Sequence, residues 1–275
     1  MTQAADRPVF FVSDGTGITA ETIGHSLLSQ FQGISFRQLR LPFVDDPDKA
    51  RVAVQRINEA ATDSGIRPIV INTLANQELS KILYSSQALV LDVFDTFLGR
   101  LEEEFGKPRS PAVGQTHGLV DYHTYESRMD ATNYALKHDD GGDVNYTNAD
   151  VILVGVSRSG KTPTCLYLAL HYGVKAANYP VTDDDLEETR LPARLRPFKN
   201  KLFGLTIDPE RLHQIREARR PESRYASMKQ CRTEVEEAEG LFRLHGVPCL
   251  NTTHTSVEEI ASKILVALNL ERNMF

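Results

Sequence analysis

Val-Ile-Leu-Val-Gly-Val-Ser-Arg-Ser-Gly-Lys-Thr, residues 151–162, joins a short apolar run to a complete G-x-x-x-x-G-K-T phosphate loop. In such a loop Gly155 and Gly160 let the backbone turn tightly around an anion, toward which the amide N–H groups point. Lys161 adds a positive charge beside the terminal phosphates, and Thr162 offers a hydroxyl to Mg²⁺. The apolar segment that follows begins with a proline, as first helical turns often do. The stretch therefore predicts strand, phosphate loop and helix, and with them a nucleotide site; a chance glycine turn before a helix is the alternative.

The residues predicted to contact the nucleotide are those of the loop itself. They are Gly155, Val156, Ser157, Arg158, Ser159, Gly160, Lys161 and Thr162. We expect Lys161 to be catalytic as well, because its charge offsets the charge that develops on a transferring phosphoryl group. Arg158 is placed to do the same, although its side chain could instead pack against the preceding strand.

Composition and charge exclude several classes of protein. Lys and Arg total 31 against 37 Asp and Glu, a net charge of −6, which argues against a dedicated nucleic-acid binder. The chain has no apolar run of about eighteen residues and no apolar leader at residues 1–7, so we expect a cytoplasmic protein without a membrane span. Cys165, Cys231 and Cys249 lie far apart without the spacing of a zinc site, which favours reduced thiols.

Strand and helix patterns alternate through the N-terminal half. Apolar strand patterns at residues 8–12, 36–41 and 68–72 are separated by segments with helical periodicity. Residues 88–93 fit either a strand or a helix. Alternation of this kind predicts a parallel sheet with helices on both faces.

A turn signal, His-Asp-Asp-Gly-Gly at residues 138–142, precedes a second alternation of strands and helices. We therefore predict an α/β protein of two domains. An N-terminal parallel-sheet α/β domain spans residues 1–147, and a P-loop kinase-like α/β domain spans residues 148–275.

A phosphoryl-transfer site also needs a carboxylate that orients the attacking hydroxyl or holds a metal ion. Asp208 follows the apolar run at residues 202–207, the position of a Walker-B acid, but it could equally cap the helix that begins at Pro209. Asp184, within the acidic run at residues 183–185, is the second candidate for base or metal ligand. For any single member of that run, a solvated loop is the alternative.

Two further regions are candidates for a second phosphate site. The first is a glycine loop between a strand and a helix, made of Ser13, Asp14, Gly15, Thr16 and Gly17; an ordinary turn with a helix cap is its alternative. The second is a crowd of arginines at residues 211–232, among them Arg224, which could clamp oxyanions or form a solvated helix face. The segments at His117 and at His138-Asp139-Asp140 are candidates for His/carboxylate pairs suited to proton transfer, although loop roles are commoner for both.

Longer segments resemble one protein family almost from end to end. The resembling segments are residues 13–21, 41–44 (Leu-Pro-Phe-Val), 116–119 (Thr-His-Gly-Leu), 138–141, 155–163, 176–180 (Ala-Ala-Asn-Tyr-Pro), 203–212, 223–227 (Ser-Arg-Tyr-Ala-Ser) and 251–259. They are similar to the bifunctional kinase/pyrophosphorylase family, whose branches regulate phosphoenolpyruvate synthase and pyruvate, phosphate dikinase. Gly160 and Gly15 favour the synthase branch, because the dikinase branch often carries serine at the first position and tends to lack the second.

The resemblance implies a serine/threonine kinase that uses ADP instead of ATP, phosphorylates a threonine of phosphoenolpyruvate synthase and releases AMP. It also implies removal of that phosphate by inorganic phosphate, with pyrophosphate as product. ADP would then lie along residues 155–162, with Mg²⁺ on Thr162 if metal is used. The Ser13–Gly17 loop and the arginines between Arg211 and Arg224 are the candidates for the inorganic phosphate. The synthase is the expected partner, without nucleic acid or membrane, and the sequence leaves open whether the chain forms a homodimer.

Other functions fit the phosphate loop by itself. The same chemistry could act on pyruvate, phosphate dikinase, or the chain could be a P-loop kinase of a small metabolite. A nucleotide switch is disfavoured, because the sequence has no purine-reading N-K-x-D motif.

Overall fold

The chain forms two compact units, Met1–Leu119 and Val120–Phe275. The computed structural model describes residues 6–109, 122–139, 145–182, 184–185 and 190–270. Each unit is built on its own four-stranded parallel sheet, so the predicted α/β class with two domains is confirmed.

Strands and helices alternate in the first unit as predicted. Its strands are β1 (Arg7–Val12), β2 (Phe36–Leu41), β3 (Ile69–Asn72) and β4 (Leu89–Asp92). Its helices are α1 (Ile18–Leu28), α2 (Pro47–Ser64), α3 (Gln77–Leu83) and α4 (Val93–Phe105). The strand order is β2-β1-β3-β4, and the segment that fitted either strand or helix is an edge strand followed by a helix.

Alternate side chains of β1 enter two different hydrophobic clusters. Phe10 and Val12 belong to the cluster that includes residues of α2 and α3, whereas Val9 and Phe11 belong to the cluster that includes Ala20 of α1. This burial on both faces is what a central strand of a parallel sheet requires.

The second unit repeats the arrangement of the first. Its strands are β5 (Val151–Gly155), β6 (Ala176–Pro180), β7 (Leu202–Thr206) and β8 (Cys249–Asn251). Its helices are α5 (Tyr122–Lys137), α6 (Lys161–Tyr172), α7 (Pro209–Arg219), α8 (Met228–His245) and α9 (Val257–Ala267), with 3₁₀ helices at Arg196–Lys201 and Arg224–Ala226. The order β6-β5-β7-β8 is the same as in the first unit, with β6 and β7 on opposite sides of β5.

The division between the units lies ahead of the boundary predicted after residue 147. Ala131 and Ala135 of α5 are fully buried in one cluster with Cys165 and Leu168 of α6, so α5 belongs to the second unit. The predicted turn lies inside that unit, and the part at residues 140–142 falls outside the described residues.

Three further observations concern features outside the sheets. Ser256 caps α9 by accepting a hydrogen bond from the backbone N–H of Glu259. All three cysteines are free, with Cys165 and Cys231 buried and Cys249 exposed. Every helix in the described ranges is too short or too polar to cross a bilayer.

Candidate functional site

The glycine loop lies between β5 and α6, at the carboxyl end of the central strand of the second sheet. The chain leaves β5 toward β6 on one side and leaves β7 toward β8 on the other, and parallel α/β sheets bind ligands between two such strands. Gly155 is required by packing, because a Cβ here would lie 2.2 Å from the carbonyl oxygen of Leu205 on β7. Gly160 has a φ of 91°, a left-handed conformation that favours glycine, and it begins α6.

A polar cleft of about 560 Å³ opens at this loop. Its lining residues are Asp139, Ser157, Arg158, Gly160, Lys161, Thr162, Pro163, Asn178, Pro180 and Arg219. Five of the eight predicted loop residues thus border one cavity. Its size and the cations on its wall suit a phosphorylated ligand.

Lys161 is only 4% exposed, and its Nζ donates a hydrogen bond of 2.7 Å to the carbonyl oxygen of Val156 within the loop. Burial lowers the pKa of the Lys161 ammonium to about 7, because desolvation penalises the charged form. A phosphate beside this amine would favour its protonated form. The lysine is therefore placed to gain a proton as an anion binds.

Asp139, Thr162 and Asn178 form a hydrogen-bonded cluster on the cleft wall. The Thr162 hydroxyl donates to Asp139 Oδ1 at 2.7 Å, and the Asn178 amide group donates to Asp139 Oδ1 at 3.0 Å and to Thr162 Oγ1 at 3.1 Å. Asn178 Oδ1 is buried and has no hydrogen-bond partner among the described residues. Asp139 follows α5 and Asn178 lies on β6, so the fold brings a carboxylate and an amide to the phosphate-loop threonine.

A buried arginine also contacts the loop. Arg216 of α7 is fully buried, and its Nη2 donates to the carbonyl oxygen of Ser157 at 3.2 Å. Both terminal nitrogens also bind the carboxylate of Glu234 on α8, at 3.0 and 2.7 Å. The guanidinium lies 4.1 Å from the ring centre of Tyr225, whose hydroxyl is 3.0 Å from Ser157 Oγ. Two side chains from beyond the loop therefore contact Ser157.

The two acids predicted from the sequence do not line the cleft. Asp208 occupies the N-cap position of α7, but its side chain makes no cap hydrogen bond and instead accepts one from Asn251 at 2.7 Å. Asp184 is exposed. Its neighbour Asp185 accepts hydrogen bonds from the Tyr179 hydroxyl and from Thr182, and Asp183 lies outside the described residues.

The Ser13–Gly17 loop lies at the carboxyl end of β1 in the first unit. Ser13 Oγ accepts from the backbone N–H of Gly15 at 3.1 Å, and Asp14 Oδ2 accepts from the backbone N–H of Ala75 at 2.9 Å. Gly17, with a φ of 85°, begins α1, and Thr16 is exposed. The two polar side chains thus fasten the loop to itself and to the segment after β3.

The arginines at residues 211–232 lie in different environments. Arg216 is buried and paired, and Arg232 forms an ion pair of 3.5 Å with Glu210. Arg219 lines the cleft, whereas Arg224 is exposed in its 3₁₀ helix. One member is therefore placed to meet a ligand in the cleft.

The residues that sequence reasoning missed come from distant segments. In the sequence Asp139 belongs to the His-Asp-Asp-Gly-Gly turn, whereas the structure places its carboxylate against Thr162. His138 is buried, stacked 3.7 Å from the ring of Tyr134, and its Nδ1 lies 2.7 Å from the carbonyl oxygen of Tyr134. His117 lies outside the described residues. The Ala-Ala-Asn-Tyr-Pro segment could have signalled Asn178, because it forms β6, the strand beside the phosphate-loop strand.

The fold and the cleft define an α/β protein of two parallel-sheet units, one of which presents a glycine loop suited to phosphate groups. The chain belongs to the kinase/pyrophosphorylase family, which it matches over residues 9–265.

Bacterial relatives match the chain over nearly its whole length. A protein of Stenotrophomonas maltophilia (strain K279a) is 61% identical over 269 residues, covering 98% of both chains. One from Xanthomonas campestris pv. campestris (strain B100) is 58% identical over 269 residues, again covering 98% of both. Both are named as candidate phosphoenolpyruvate synthase regulatory proteins. The family resemblance found in the sequence is confirmed.

Proposed function

We propose that the protein regulates phosphoenolpyruvate synthase as a bifunctional serine/threonine kinase and phosphorylase. In the inactivating direction, a threonine hydroxyl oxygen bonds to the β-phosphorus of ADP and gives up its proton to solvent, the bond from that phosphorus to the bridging oxygen breaks, and AMP leaves. In the activating direction, inorganic phosphate attacks the phosphothreonine, which regenerates the hydroxyl and releases pyrophosphate. The polar cleft at the glycine loop carries this proposal. The family supports the kinase and pyrophosphorylase chemistry, and the relatives' names supply the target.

In this proposal the diphosphate of ADP lies against the glycine loop. Lys161 and Arg158 flank its β-phosphate, where they offset the charge that develops during transfer. Removing one such preorganised group typically lowers kcat by about two to three orders of magnitude. We therefore assign both residues electrostatic roles.

The chemistry of the cleft wall suits Mg²⁺. The Thr162 hydroxyl, the Asp139 carboxylate and the unpartnered Asn178 Oδ1 are oxygen donors, which this hard cation prefers. When bound, Mg²⁺ would neutralise charge on the phosphate oxygens. We assign its binding to Thr162 and Asp139, with Asn178 holding both in place through its amide group.

Asp139 is also the carboxylate we favour for orienting the attacking threonine. Asp139 lines the cleft, whereas Asp184 is exposed and the side chain of Asp208 is hydrogen-bonded to Asn251. Orientation of the nucleophile requires a group within hydrogen-bond reach of it. Asp139 therefore replaces the other two acids in this proposal.

For the phosphorolytic direction we assign the incoming phosphate to Arg219. Its side chain lines the cleft, and no ion-pair partner for it occurs within the described part of the chain. A guanidinium binds phosphate through two parallel hydrogen bonds, which would hold the nucleophile beside the phosphothreonine. The Ser13–Gly17 loop stays the alternative predicted from the sequence.

The test uses purified protein, phosphoenolpyruvate synthase and ADP labelled in its β-phosphate. We expect label on a threonine of the synthase with AMP in equal amount, and later addition of unlabelled phosphate should release labelled pyrophosphate. Lys161→Ala should abolish labelling, whereas Lys263→Ala, at an exposed ion pair of α9, should not. Label only on a small molecule, or transfer that requires ATP, would refute the proposal. Pyruvate, phosphate dikinase in place of the synthase tests the other branch.

A further inference from the structure

The glycine loop contains a turn that is unfavourable for its own sequence. The backbone N–H of Ser159 donates to the carbonyl oxygen of Val156 at 3.3 Å, which closes a four-residue turn. Arg158, at the third position, has a φ of 78°. This is the pattern of a type II turn, whose third position favours glycine because other residues are strained at positive φ.

Rotation of one peptide group would relieve that strain. Type I and type II turns differ mainly by a rotation of about 180° of the central peptide, which here joins Ser157 and Arg158. In the type I form Arg158 would take an ordinary negative φ. The carbonyl of Ser157 and the N–H of Arg158 point in opposite directions, so the rotation would also reverse the N–H that the loop offers to a ligand.

Arg216 binds the carbonyl oxygen that this rotation would move. Its Nη2 donates to Ser157 at 3.2 Å, while Glu234 holds the guanidinium through both terminal nitrogens. Arg216 also donates to the backbone carbonyl of Tyr225 at 3.0 Å and lies over the Tyr225 ring. With the Arg216 side chain fully buried and fixed on three sides, the Ser157 carbonyl stays turned toward it.

We propose that Arg216 is a positioning residue that keeps the 157–158 peptide in its strained, ligand-receptive orientation, with Glu234 and Tyr225 holding Arg216 in place. The charge of Arg216 is balanced by Glu234, so its contribution to nucleotide binding passes through the loop backbone. The inference rests on the proposed function in taking ADP as the ligand of the loop.

The experiment is a double-substitution cycle on residues 158 and 216, read by isothermal titration of the full-length protein with ADP and Mg²⁺. Arg216→Lys keeps the charge but loses the forked geometry, and we expect it to weaken ADP binding about tenfold. Arg158→Gly removes the strain at the third turn position. In the Arg158→Gly background, Arg216→Lys should weaken ADP binding by about threefold or less, because glycine adopts the type II turn without support from Arg216.

If Arg216→Lys does not fold, a second variant and its control still test the inference. Glu234→Gln loosens the guanidinium and should weaken ADP binding by about threefold to tenfold, and by less when it is combined with Arg158→Gly. Arg243→Lys, at an exposed ion pair on the same helix as Glu234, is the matched control and should bind ADP as the wild type does.

A loss of affinity that is equal in both backgrounds would overturn the inference, because general damage to the unit does not depend on strain at residue 158. Unchanged affinity in Arg216→Lys and Glu234→Gln would overturn it as well. If the wild type binds no ADP, both the proposed function and this inference fail. If the wild type binds ADP and these variants bind it equally well, the proposed function stands and the inference alone is lost.

Discussion

Lys161 combines a phosphate-binding position with deep burial, and the two properties together predict a pH dependence. Desolvation lowers its pKa to about 7, and an adjacent phosphate would raise it. Binding then takes up a proton. ADP affinity should be nearly constant below about pH 7 and fall as the pH rises to about 9, by up to tenfold per pH unit.

Titration calorimetry in buffers of different ionisation enthalpy measures this proton uptake directly. At about pH 8 we expect a positive uptake in the wild type and a smaller one in Lys161→Met. Equal uptake in the two proteins would assign the proton to another group.

Asp139 contacts the one hydroxyl that the loop motif assigns to the metal. Asp139→Asn keeps the shape of the side chain but removes the charge, so Mg²⁺ should enhance ADP binding about tenfold less than in the wild type. Binding of ADP with and without Mg²⁺ measures the difference. The control is Asp130→Asn, since Asp130 is an exposed residue of α5 that forms an ion pair with Lys175. If Asp208→Asn lost the Mg²⁺ effect and Asp139→Asn kept it, the Walker-B assignment made from the sequence would return.

At the scale of elements, the approach of β5 to β7 depends on the absence of a side chain at Gly155. Gly155→Ala would place a Cβ 2.2 Å from the carbonyl oxygen of Leu205, so one strand must move. We expect a loss of about 2 kcal/mol or more in the free energy of unfolding, measured by urea denaturation.

The control for that substitution is Gly240→Ala in α8. A Cβ there meets nothing within 4 Å, so alanine should stabilise the protein by about 0.5–1 kcal/mol through helix propensity. Similar effects of the two substitutions would show that the strand contact is not responsible.

The elements were predictable because each depends on local patterns, whereas the cleft depends on contacts between them. Strand patterns and turn residues located β1, β2, β3 and β5 correctly, and β4 was ambiguous because its short apolar run fits two periodicities. Asp139 and Thr162 meet across 23 residues, and Arg216 and Ser157 across 59. Residue spacing in a single sequence does not predict contacts over such separations. The predicted Asp208 stood at a plausible strand end, but Asn251 engages its side chain.

At the scale of the whole molecule, two units of equal strand order each present a loop at the carboxyl end of the central strand. In the first unit Ser13 and Asp14 are used in hydrogen bonds within the unit. In the second unit the loop borders a cleft with Lys161 and Arg219 on its wall. The two sheets have the same strand order, yet the loops at the carboxyl ends of their central strands are not equally suited to binding phosphate.

A comparison of Arg219→Gln with Asp14→Asn can decide whether inorganic phosphate binds in the cleft or at the Ser13–Gly17 loop of the first unit. Arg219→Gln should raise the KM for phosphate in pyrophosphate release by about tenfold, because a charge-assisted bidentate contact is lost, and should change ADP-dependent phosphorylation less. Asp14→Asn keeps an oxygen for the Ala75 N–H and should leave that KM within about twofold. The measurement is pyrophosphate release from phosphorylated synthase over a range of phosphate concentrations. The reverse pattern, with a raised KM only in Asp14→Asn, would move the phosphate site to the Ser13–Gly17 loop and leave Arg219 without this role.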